Sequence, residues 1–266
     1  MTGWIFDIDG VITSLDQEKI TQPAILDHLI KFLNNGEPVA LNTGRSIDWV
    51  LENILNPLKK RVNNQKIFQN LFITSEFGGM HLKFSADGSS TMHKDETFKM
   101  PFPLEQKVIE LIGKKYSASM RFEEKKTMIT TKIKEGSRLD QYTRDQKLLA
   151  PQFKTLISDL GFNDKLIVET STLAANIMYK DAGKRKGTKE ILNWLAHKGL
   201  KIQHFVVFGD SFESDITMAQ EIHEHNFLVE FVYVGAEKIQ TAGFPFLIKQ
   251  TTEKFDKGTL EFLETL

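Results

Sequence analysis

Apolar and polar positions follow one pattern near both ends of the chain and another in the middle. Near the ends, short apolar runs lead into polar residues, and these runs occupy residues 3–8, 37–43, 204–210 and 227–235. Helical patterns lie between them, over residues 23–35, 47–55 and 213–223. Strands separated by helices join in parallel through right-handed crossovers. The two ends together therefore predict an α/β core, a Rossmann-like parallel sheet with helices on both faces.

The middle of the chain predicts a separate α+β unit. Amphipathic helix patterns cover residues 103–115 and 138–160. Strand-like segments in hairpin arrangement cover residues 118–123 with 126–134, and 165–169 with 174–179. Polar, glycine-containing stretches at 85–90 and 180–187 are typical of linkers. We therefore predict a core formed by residues 1–84 and 181–266, with an inserted α+β cap domain over 85–180.

Composition and charge narrow the classes of function. The 266 residues carry a formal net charge of −1, which argues against a protein that coats nucleic acid or an anionic membrane. The absence of cysteine excludes disulfides, thiol nucleophiles and cysteine-ligated zinc. The first ten residues lack the features of a signal peptide, and no apolar stretch approaches about 18 residues. We expect a soluble, cytoplasmic protein that acts on a small molecule, with no nucleic-acid or membrane partner and no protein partner implied.

Acidic side chains follow two of the predicted core strands. Asp7 and Asp9 end the first strand and project to the same face, and Gly10 then allows a sharp turn. Asp210 follows a later strand, with Asp215 five residues beyond it. The carboxyl ends of parallel strands are where open α/β sheets bind ligands. Hard oxygen ligands without cysteine or a local histidine cluster suit Mg²⁺, so these carboxylates predict a magnesium site.

Two further segments offer groups that bind anions. The strand that ends at Leu41 leads into Thr43, Gly44 and Arg45, a hydroxyl and backbone amides at the start of a helix. Thr43, Gly44 and Arg45 are therefore candidates for phosphate contact. The basic stretch 184–187 precedes another predicted helix and offers a cation. Taken singly, a helix cap and a solvated basic loop are the commoner explanations of such segments.

Taken in order, these segments resemble the motifs of the haloacid dehalogenase superfamily of phosphohydrolases. DIDGV (7–11) matches the D-x-D-x-[TV] motif, and GDSFESD (209–215) matches G-D-x-x-x-x-D. Thr43 corresponds to the second motif. For the third motif Lys186 is preferred to Lys184, because Lys186 directly precedes a glycine and a helix. The resemblance covers about residues 1–80 and 181–266.

The resemblance implies a role for each matched residue. Asp7 would attack phosphorus and form an aspartyl-phosphate, and Asp9 would act as general acid and then general base. Mg²⁺ would be held by Asp7, the Asp9 carbonyl and Asp210, with Asp215 directly or indirectly assisting. Thr43 and Lys186 would hold the transferring phosphoryl oxygens, as catalytic residues beside Asp7 and Asp9.

The insertion resembles a type-2 (Cof-like) cap of the same superfamily. SEFGG (75–79) and the segment 120–133 resemble trehalose-phosphate phosphatases and related sugar phosphatases. This likeness predicts a sugar phosphate as substrate, with Glu124, Lys125 and Lys126 as candidate sugar contacts. The solvent face of an ordinary hairpin explains those alternating charges equally well.

Two alternatives to a phosphatase stay open. A phosphotransferase of the phosphomannomutase type shares the first motif and returns the phosphoryl group to a sugar. A non-catalytic binding protein would keep the fold, but binding alone does not require a nucleophile and an acid together. A two-component receiver also forms an aspartyl-phosphate, but it lacks both the D-x-D start and a large insertion.

Overall fold

The computed structural model describes residues 1–266 and contains two sheets. Contacts divide the chain into a core unit, Met1–His93 with Gly183–Leu266, and an inserted unit, Lys94–Ala182. The strands are β1 (Thr2–Phe6), β2 (Val39–Asn42), β3 (Leu71–Ser75), β4 (Met80–Phe84), β5 (Ser90–Lys94), β6 (Met120–Glu123), β7 (Ile129–Ile133), β8 (Leu166–Thr170), β9 (Ala174–Tyr179), β10 (His204–Gly209), β11 (Leu228–Tyr233) and β12 (Leu247–Gln250).

Eight α-helices accompany these strands. They are α1 (Pro23–Asn34), α2 (Ile47–Val50), α3 (Asn56–Lys60), α4 (Phe102–Leu111), α5 (Leu139–Asp159), α6 (Lys184–His197), α7 (Phe212–Glu224) and α8 (Phe255–Leu263). A π-helical segment, Leu51–Leu55, joins α2 to α3, and another, Ile112–Tyr116, continues α4. None of the helices has both the length and the apolar character needed to cross a bilayer.

The core sheet has the strand order β12-β11-β10-β1-β2-β3-β4-β5. Neighbouring strands from β12 to β3 pair in parallel, and β4 runs antiparallel to β3. Side chains alternate between the two faces of a strand. Accordingly Phe6 packs into an apolar cluster with α1, α2 and α8, and Ile5 into a second cluster with α6 and α7. The prediction of an α/β core with helices on both faces of the sheet is confirmed.

The inserted unit is a four-stranded antiparallel sheet covered by two helices. Its strand order is β6-β7-β9-β8, and both predicted hairpins are present. Leu104 and Val108 of α4 and Phe153 of α5 pack with Ile129 and Ile177 of the sheet in one apolar cluster. The prediction of an α+β insertion is therefore confirmed.

Several elements differ from the sequence prediction. Strands β3, β4, β5 and β12 and helix α8 are not among the elements that the sequence predicts. Strands β5 and β12 lie at the edges of the core sheet, where most of their side chains are exposed. Of the predicted linker 85–90, residues 85–89 form the turn between β4 and β5, and Ser90 begins β5. Because β5 extends the core sheet, the contacts divide the chain after His93.

Candidate active site

The first and fourth motif segments meet at one edge of the core sheet. Strands β1 and β10 pair in parallel, with Phe6 opposite Phe208, so both strands end at the same level. The amide of Asp7 donates a hydrogen bond to the carbonyl of Phe208 at 3.1 Å. Gly10 adopts φ +69°, and a Cβ on it would collide with the carboxylate of Asp210. The turn after β1 therefore requires glycine for two reasons, its backbone conformation and the close approach of Asp210.

Three carboxylates form a cluster at this edge. One oxygen each from Asp7, Asp210 and Asp215 lies within 4.8 Å of the others. Asp7 and Asp215 are buried, and Asp210 is half-buried. Asp215 is fixed in the first turn of α7, where its carboxylate accepts a hydrogen bond from the Ser211 amide at 3.0 Å. Two strands and one helix start thus bring together Asp7, Asp210 and Asp215, three of the four aspartates predicted as metal ligands. The carboxylate of the fourth, Asp9, is paired with Arg45 instead.

The electrostatics of the cluster fit a divalent cation. Burial raises the pKa of Asp7 well above its ordinary value; Lys184 opposes this shift, while Asp215 and Asp210 add to it. Burial, followed by the charge of Asp215, also raises the pKa of Asp210 to about 7. Burial and mutual repulsion thus make full ionisation of these carboxylates costly, and a bound cation would lower that cost. An all-oxygen donor set is the kind of site that Mg²⁺ occupies.

Lys184 is the lysine that contacts the predicted nucleophile. Its Nζ lies 2.5 Å from Oδ1 of Asp7 and 3.2 Å from Oδ1 of Asp215. It also donates a hydrogen bond to the carbonyl of Asn42 at 2.7 Å. Burial by itself lowers the pKa of Lys184, but the charges of Asp215 and Asp7 outweigh burial, and the net shift is upward. Lys184 therefore stays protonated beside the two carboxylates.

The structure places Lys184 where the sequence analysis expected Lys186. Nζ of Lys186 instead lies 2.7 Å from Oε1 of Glu190, one turn along α6. Residues two apart on a helix point about 200° away from each other, so only one of these lysines can face the cluster. The spacing of the buried α6 residues Lys184, Thr188 and Ile191 marks the inward face. That periodicity was the signal that could have selected Lys184 from the sequence.

The second motif segment lies at the same sheet edge. Strands β1 and β2 pair in parallel, with Phe6 opposite Leu41, which puts Thr43 just beyond the end of β2. Thr43 is fully buried, and its hydroxyl accepts a hydrogen bond from the amide of Arg45 at 3.1 Å. Asn42, which the sequence analysis did not select, donates from Nδ2 to the carbonyl of Lys184 at 2.8 Å. Asn42 thus ties the end of β2 to the helix turn that carries Lys184.

Gly44 and Arg45, predicted as substrate contacts, have specific protein neighbours. Gly44 packs against the ring of Phe77, which a Cβ at Gly44 would overlap. Arg45 donates from Nε to Oδ2 of Asp9 at 2.9 Å and from Nη2 to Oδ1 of Asp9 at 2.6 Å. The carboxylate predicted as general acid is therefore held by a two-point ion pair.

The predicted sugar contacts belong to the turn of the β6–β7 hairpin. Glu124 and Lys126 are exposed, whereas the side chain of Lys125 is only 6% exposed. Nζ of Lys125 lies 3.7 Å from Oε1 of Glu123. Glu123, which the sequence analysis did not select, also lies 3.8 Å from Nζ of Lys132. Within the inserted unit these groups form one charged cluster on the hairpin.

Comparison with solved structures identifies the fold. An α/β core with an acidic cluster at the carboxyl edge of its sheet, interrupted by an α+β insertion, is the haloacid dehalogenase fold with a cap. The C-terminal domain of Candida albicans trehalose-6-phosphate phosphatase matches with a TM-score of 0.67 and 15% identity, over 99% of this chain and 91% of that chain. A Thermoplasma acidophilum structure matches with a TM-score of 0.57 and 17% identity, over 100% and 99% of the two chains.

A third match is to a longer protein. Plasmodium falciparum IMP-nucleotidase matches with a TM-score of 0.58 and 14% identity over 82% of this chain, which spans only 54% of the nucleotidase structure. No protein-family model and no curated protein matches the sequence. At these identities the likenesses establish the fold alone.

Proposed function

We propose that this protein is a Mg²⁺-dependent phosphomonoesterase acting on a small phosphate ester, with a sugar phosphate as the substrate class. The observation that carries the proposal is the carboxylate cluster of Asp7, Asp210 and Asp215, whose oxygens lie within 4.8 Å of one another beside the buried Lys184. Such a cluster combines a nucleophile, a cation site and a fixed positive charge.

Asp7 is the proposed nucleophile. A carboxylate oxygen of Asp7 forms a bond to phosphorus while the ester P–O bond breaks, and the leaving alkoxide takes a proton from Asp9. Water then gives a proton to Asp9 and attacks the aspartyl-phosphate at phosphorus. That second step releases inorganic phosphate and restores both aspartates, so the net reaction consumes one water and yields an alcohol and phosphate.

Charge compensation is the main requirement of this reaction, since an anionic nucleophile must approach an anionic ester. Asp7, Asp210 and Asp215, with the backbone carbonyl of Asp9, would hold Mg²⁺, and the ion would offset the repulsion between carboxylate and phosphate. Lys184 takes the role that the sequence analysis gave to Lys186, because Lys184 reaches the oxygen of the nucleophile.

Thr43 supplies the remaining polar group beside the nucleophile. It is buried at the end of β2, next to the strand that carries Asp7. A hydroxyl at that position suits a hydrogen bond to a phosphoryl oxygen, and the adjacent backbone amides suit its negative charge.

The sugar-phosphate class rests on the sequence likeness of SEFGG (75–79) and of segment 120–133 to sugar phosphatases. The trehalose-6-phosphate phosphatase domain also shares the fold over 99% of this chain. Of the predicted contacts, Lys125 is the strongest candidate, because its side chain is only 6% exposed beside Glu123. Water competes less for a sheltered ammonium group, so its contact with a sugar hydroxyl or a phosphate is stronger. Glu124 and Lys126 stay as weaker candidates, because both are exposed.

A screen of phosphate esters with Mg²⁺ tests the proposal. We expect phosphate release that disappears with a chelator and with Asp7→Asn, because both remove groups the first step requires. Asp164→Asn, at an exposed position of the inserted unit, is the matched control and should retain full activity. Retention of most activity by Asp7→Asn would exclude the proposed nucleophile. Release that proceeds without an added bisphosphate activator separates a hydrolase from a mutase-type phosphotransferase.

Lys125→Ala tests the sugar contact separately. It should raise KM for the best sugar ester far more than for a small generic ester, since only the sugar ester uses the contact. Lys114→Ala removes an exposed lysine from the same unit and should change neither KM. Equal effects of Lys125→Ala on both esters would remove the assignment.

A further inference from the structure

The turn Glu76–Gly78, which follows β3, has an uncommon backbone. Its three residues all lie in the left-handed region, with φ +50° at Glu76, +55° at Phe77 and +92° at Gly78. Glycine adopts this conformation readily, whereas residues with a Cβ, such as Glu76 and Phe77, are strained in it. Strained residues persist only where their surroundings hold them, and they cluster at functional sites.

Backbone hydrogen bonds join this turn to two segments of the proposed site. The Phe77 amide donates to the carbonyl of Thr43 at 3.1 Å. The Phe77 carbonyl accepts from the amide of Gly183 at 2.8 Å, and Gly183 directly precedes Lys184. The backbone angles of Phe77 decide where its N–H and C=O point, so they also decide which segments it can bond. One residue therefore connects the loop of Thr43 to the start of α6.

Close packing leaves the turn little room to move. A Cβ on Gly44 would lie 2.5 Å from Cζ of the Phe77 ring. A Cβ on Gly78 would lie 2.8 Å from the amide nitrogen of Gly187, in the first turn of α6. The turn is thus packed tightly between the segment that follows β2 and the helix that carries Lys184.

We propose that Phe77 is a positioning residue, whose left-handed turn fixes Thr43 and Lys184 at the separation that one phosphoryl group requires. The inference rests on the proposed function, in which these two residues bind the phosphoryl oxygens. Donors that are already aimed at a phosphoryl group stabilise it without first being reoriented, so their separation matters. Asn42 provides one link between β2 and the helix turn of Lys184, and Phe77 provides a second. Two links hold the orientation of that helix turn, whereas a single link permits rotation.

Two substitutions of similar size separate the turn from the ring of Phe77. Asparagine is tolerated in the left-handed region, whereas a β-branched valine is an outlier there. Phe77→Asn and Phe77→Val both remove the ring, so a difference between them reports the backbone conformation. We expect Phe77→Val to bind inorganic phosphate at least about tenfold more weakly than wild type, and Phe77→Asn less than about threefold more weakly.

Calorimetric titration of the Mg²⁺-loaded protein with inorganic phosphate measures these affinities without turnover. The Mg²⁺ affinity, titrated separately, should stay within about threefold of wild type in both variants, because the three carboxylates lie on β1, β10 and α7 and not on this turn. A merely structural role of the turn would weaken both ligands together. For a phosphate ester, kcat/KM should fall about 10- to 100-fold in Phe77→Val.

The same two substitutions at Phe255 provide a matched control. Phe255 is also a half-buried phenylalanine in the left-handed region, with φ +58°, and its amide donates to the carbonyl of Val234 at 2.6 Å. Phe255→Val should be less stable than Phe255→Asn, but both should bind phosphate like wild type. A loss of phosphate affinity in Phe255→Val as large as in Phe77→Val would mean that general loosening of the core causes it, and would overturn the inference.

Gly44→Ala tests the same turn where Phe77→Val does not fold. The three atoms nearest to the added Cβ all belong to the Phe77 ring, so Gly44→Ala should displace the ring and weaken phosphate binding about tenfold. In the double variant Gly44→Ala with Phe77→Asn the ring is absent, and phosphate affinity should recover. Without recovery, the substitution at Gly44 acts on phosphate directly, and the inference fails.

The results separate this inference from the function on which it rests. Weak phosphate binding in Phe77→Val but not in Phe77→Asn, with Mg²⁺ affinity kept, supports positioning. Wild-type phosphate affinity in Phe77→Val, or an equal loss in Phe77→Asn, would overturn it and leave the proposed phosphatase standing. A wild-type protein that neither binds phosphate nor releases it from esters would instead overturn the proposed function.

Discussion

Replacing Lys184 by methionine should damage the protein far more than the same change at Lys186. The Lys184 side chain is 5% exposed, and its ammonium contacts Asp7 and Asp215 at 2.5 and 3.2 Å. Removing one partner of a buried ion pair costs about 3–5 kcal/mol, because the remaining charges stay buried without compensation. Lys186 forms a half-exposed pair with Glu190 four residues along the helix, and such pairs contribute about 0.3–0.5 kcal/mol.

Urea unfolding in chelator measures these two free energies. We expect the free energy of unfolding of Lys184→Met to fall by several kcal/mol, and that of Lys186→Met to stay within about 0.5 kcal/mol of wild type. Circular dichroism in the absence of urea checks that Lys184→Met is folded, since typical stabilities of about 5–15 kcal/mol leave room for the loss. On activity, loss of a fixed charge at the phosphoryl group should lower kcat by about 10²- to 10³-fold for Lys184→Met only.

Methionine keeps the length of the lysine stem, so the comparison reports the charge and not the volume of the side chain. Similar losses of stability and kcat in the two variants would refute the assignment of Lys184. A larger effect at Lys186 would mean that Lys186, and not Lys184, contacts the carboxylate cluster in solution.

Two further predictions concern the same cluster. The folded-state pKa of Asp210 is raised to about 7, so its contribution to stability is present below its unfolded pKa of about 3.9 and is lost as pH rises through about 7. In chelator, the free energy of unfolding of wild type relative to that of Asp210→Asn should therefore fall as the pH rises from about 4 to about 8, measured by urea unfolding. A difference that does not change with pH would contradict this. Gly10→Ala should lose activity with Mg²⁺, because the added Cβ would collide with the carboxylate of Asp210. Gly36 has φ +78° with open space around it, so Gly36→Ala should lower the free energy of unfolding by only about 1 kcal/mol and keep activity. Comparable phosphatase rates in these two variants would contradict the close approach of the first and fourth motifs.

Short apolar runs predicted the core strands β1, β2, β10 and β11, which are almost wholly buried, but β3 is an equally buried inner strand and was missed. The runs at 3–8 and 204–210 contain the apolar stretches WIF and FVVF, which lie in the adjacent, parallel strands β1 and β10. The edge strand β5 carries no such pattern. The β5 sequence STMHK is almost wholly exposed, so composition alone gave no reason to extend the core sheet beyond residue 84.

The acidic part of the candidate site could be predicted from the sequence, because the position of each aspartate at the end of a strand fixes where its carboxylate lies. Asp7 and Asp210 follow strands that meet at a common edge, and their carboxylates could be placed together from topology. The choice between Lys184 and Lys186 depended on the rotation of α6, which short motif matching ignores. A second partner of Arg45, the carboxylate of Glu18, lies 27 positions away in sequence, and no local pattern links the two.

Calorimetric titration with Mg²⁺ tests the central claim most directly. We expect one ion per chain in the wild-type protein, and an affinity at least about tenfold weaker in Asp210→Asn and in Asp215→Asn, because each removes a carboxylate from the site. Asp164→Asn should bind Mg²⁺ like wild type. Unchanged Mg²⁺ affinity in both cluster variants would mean that the meeting of these segments does not form a metal site.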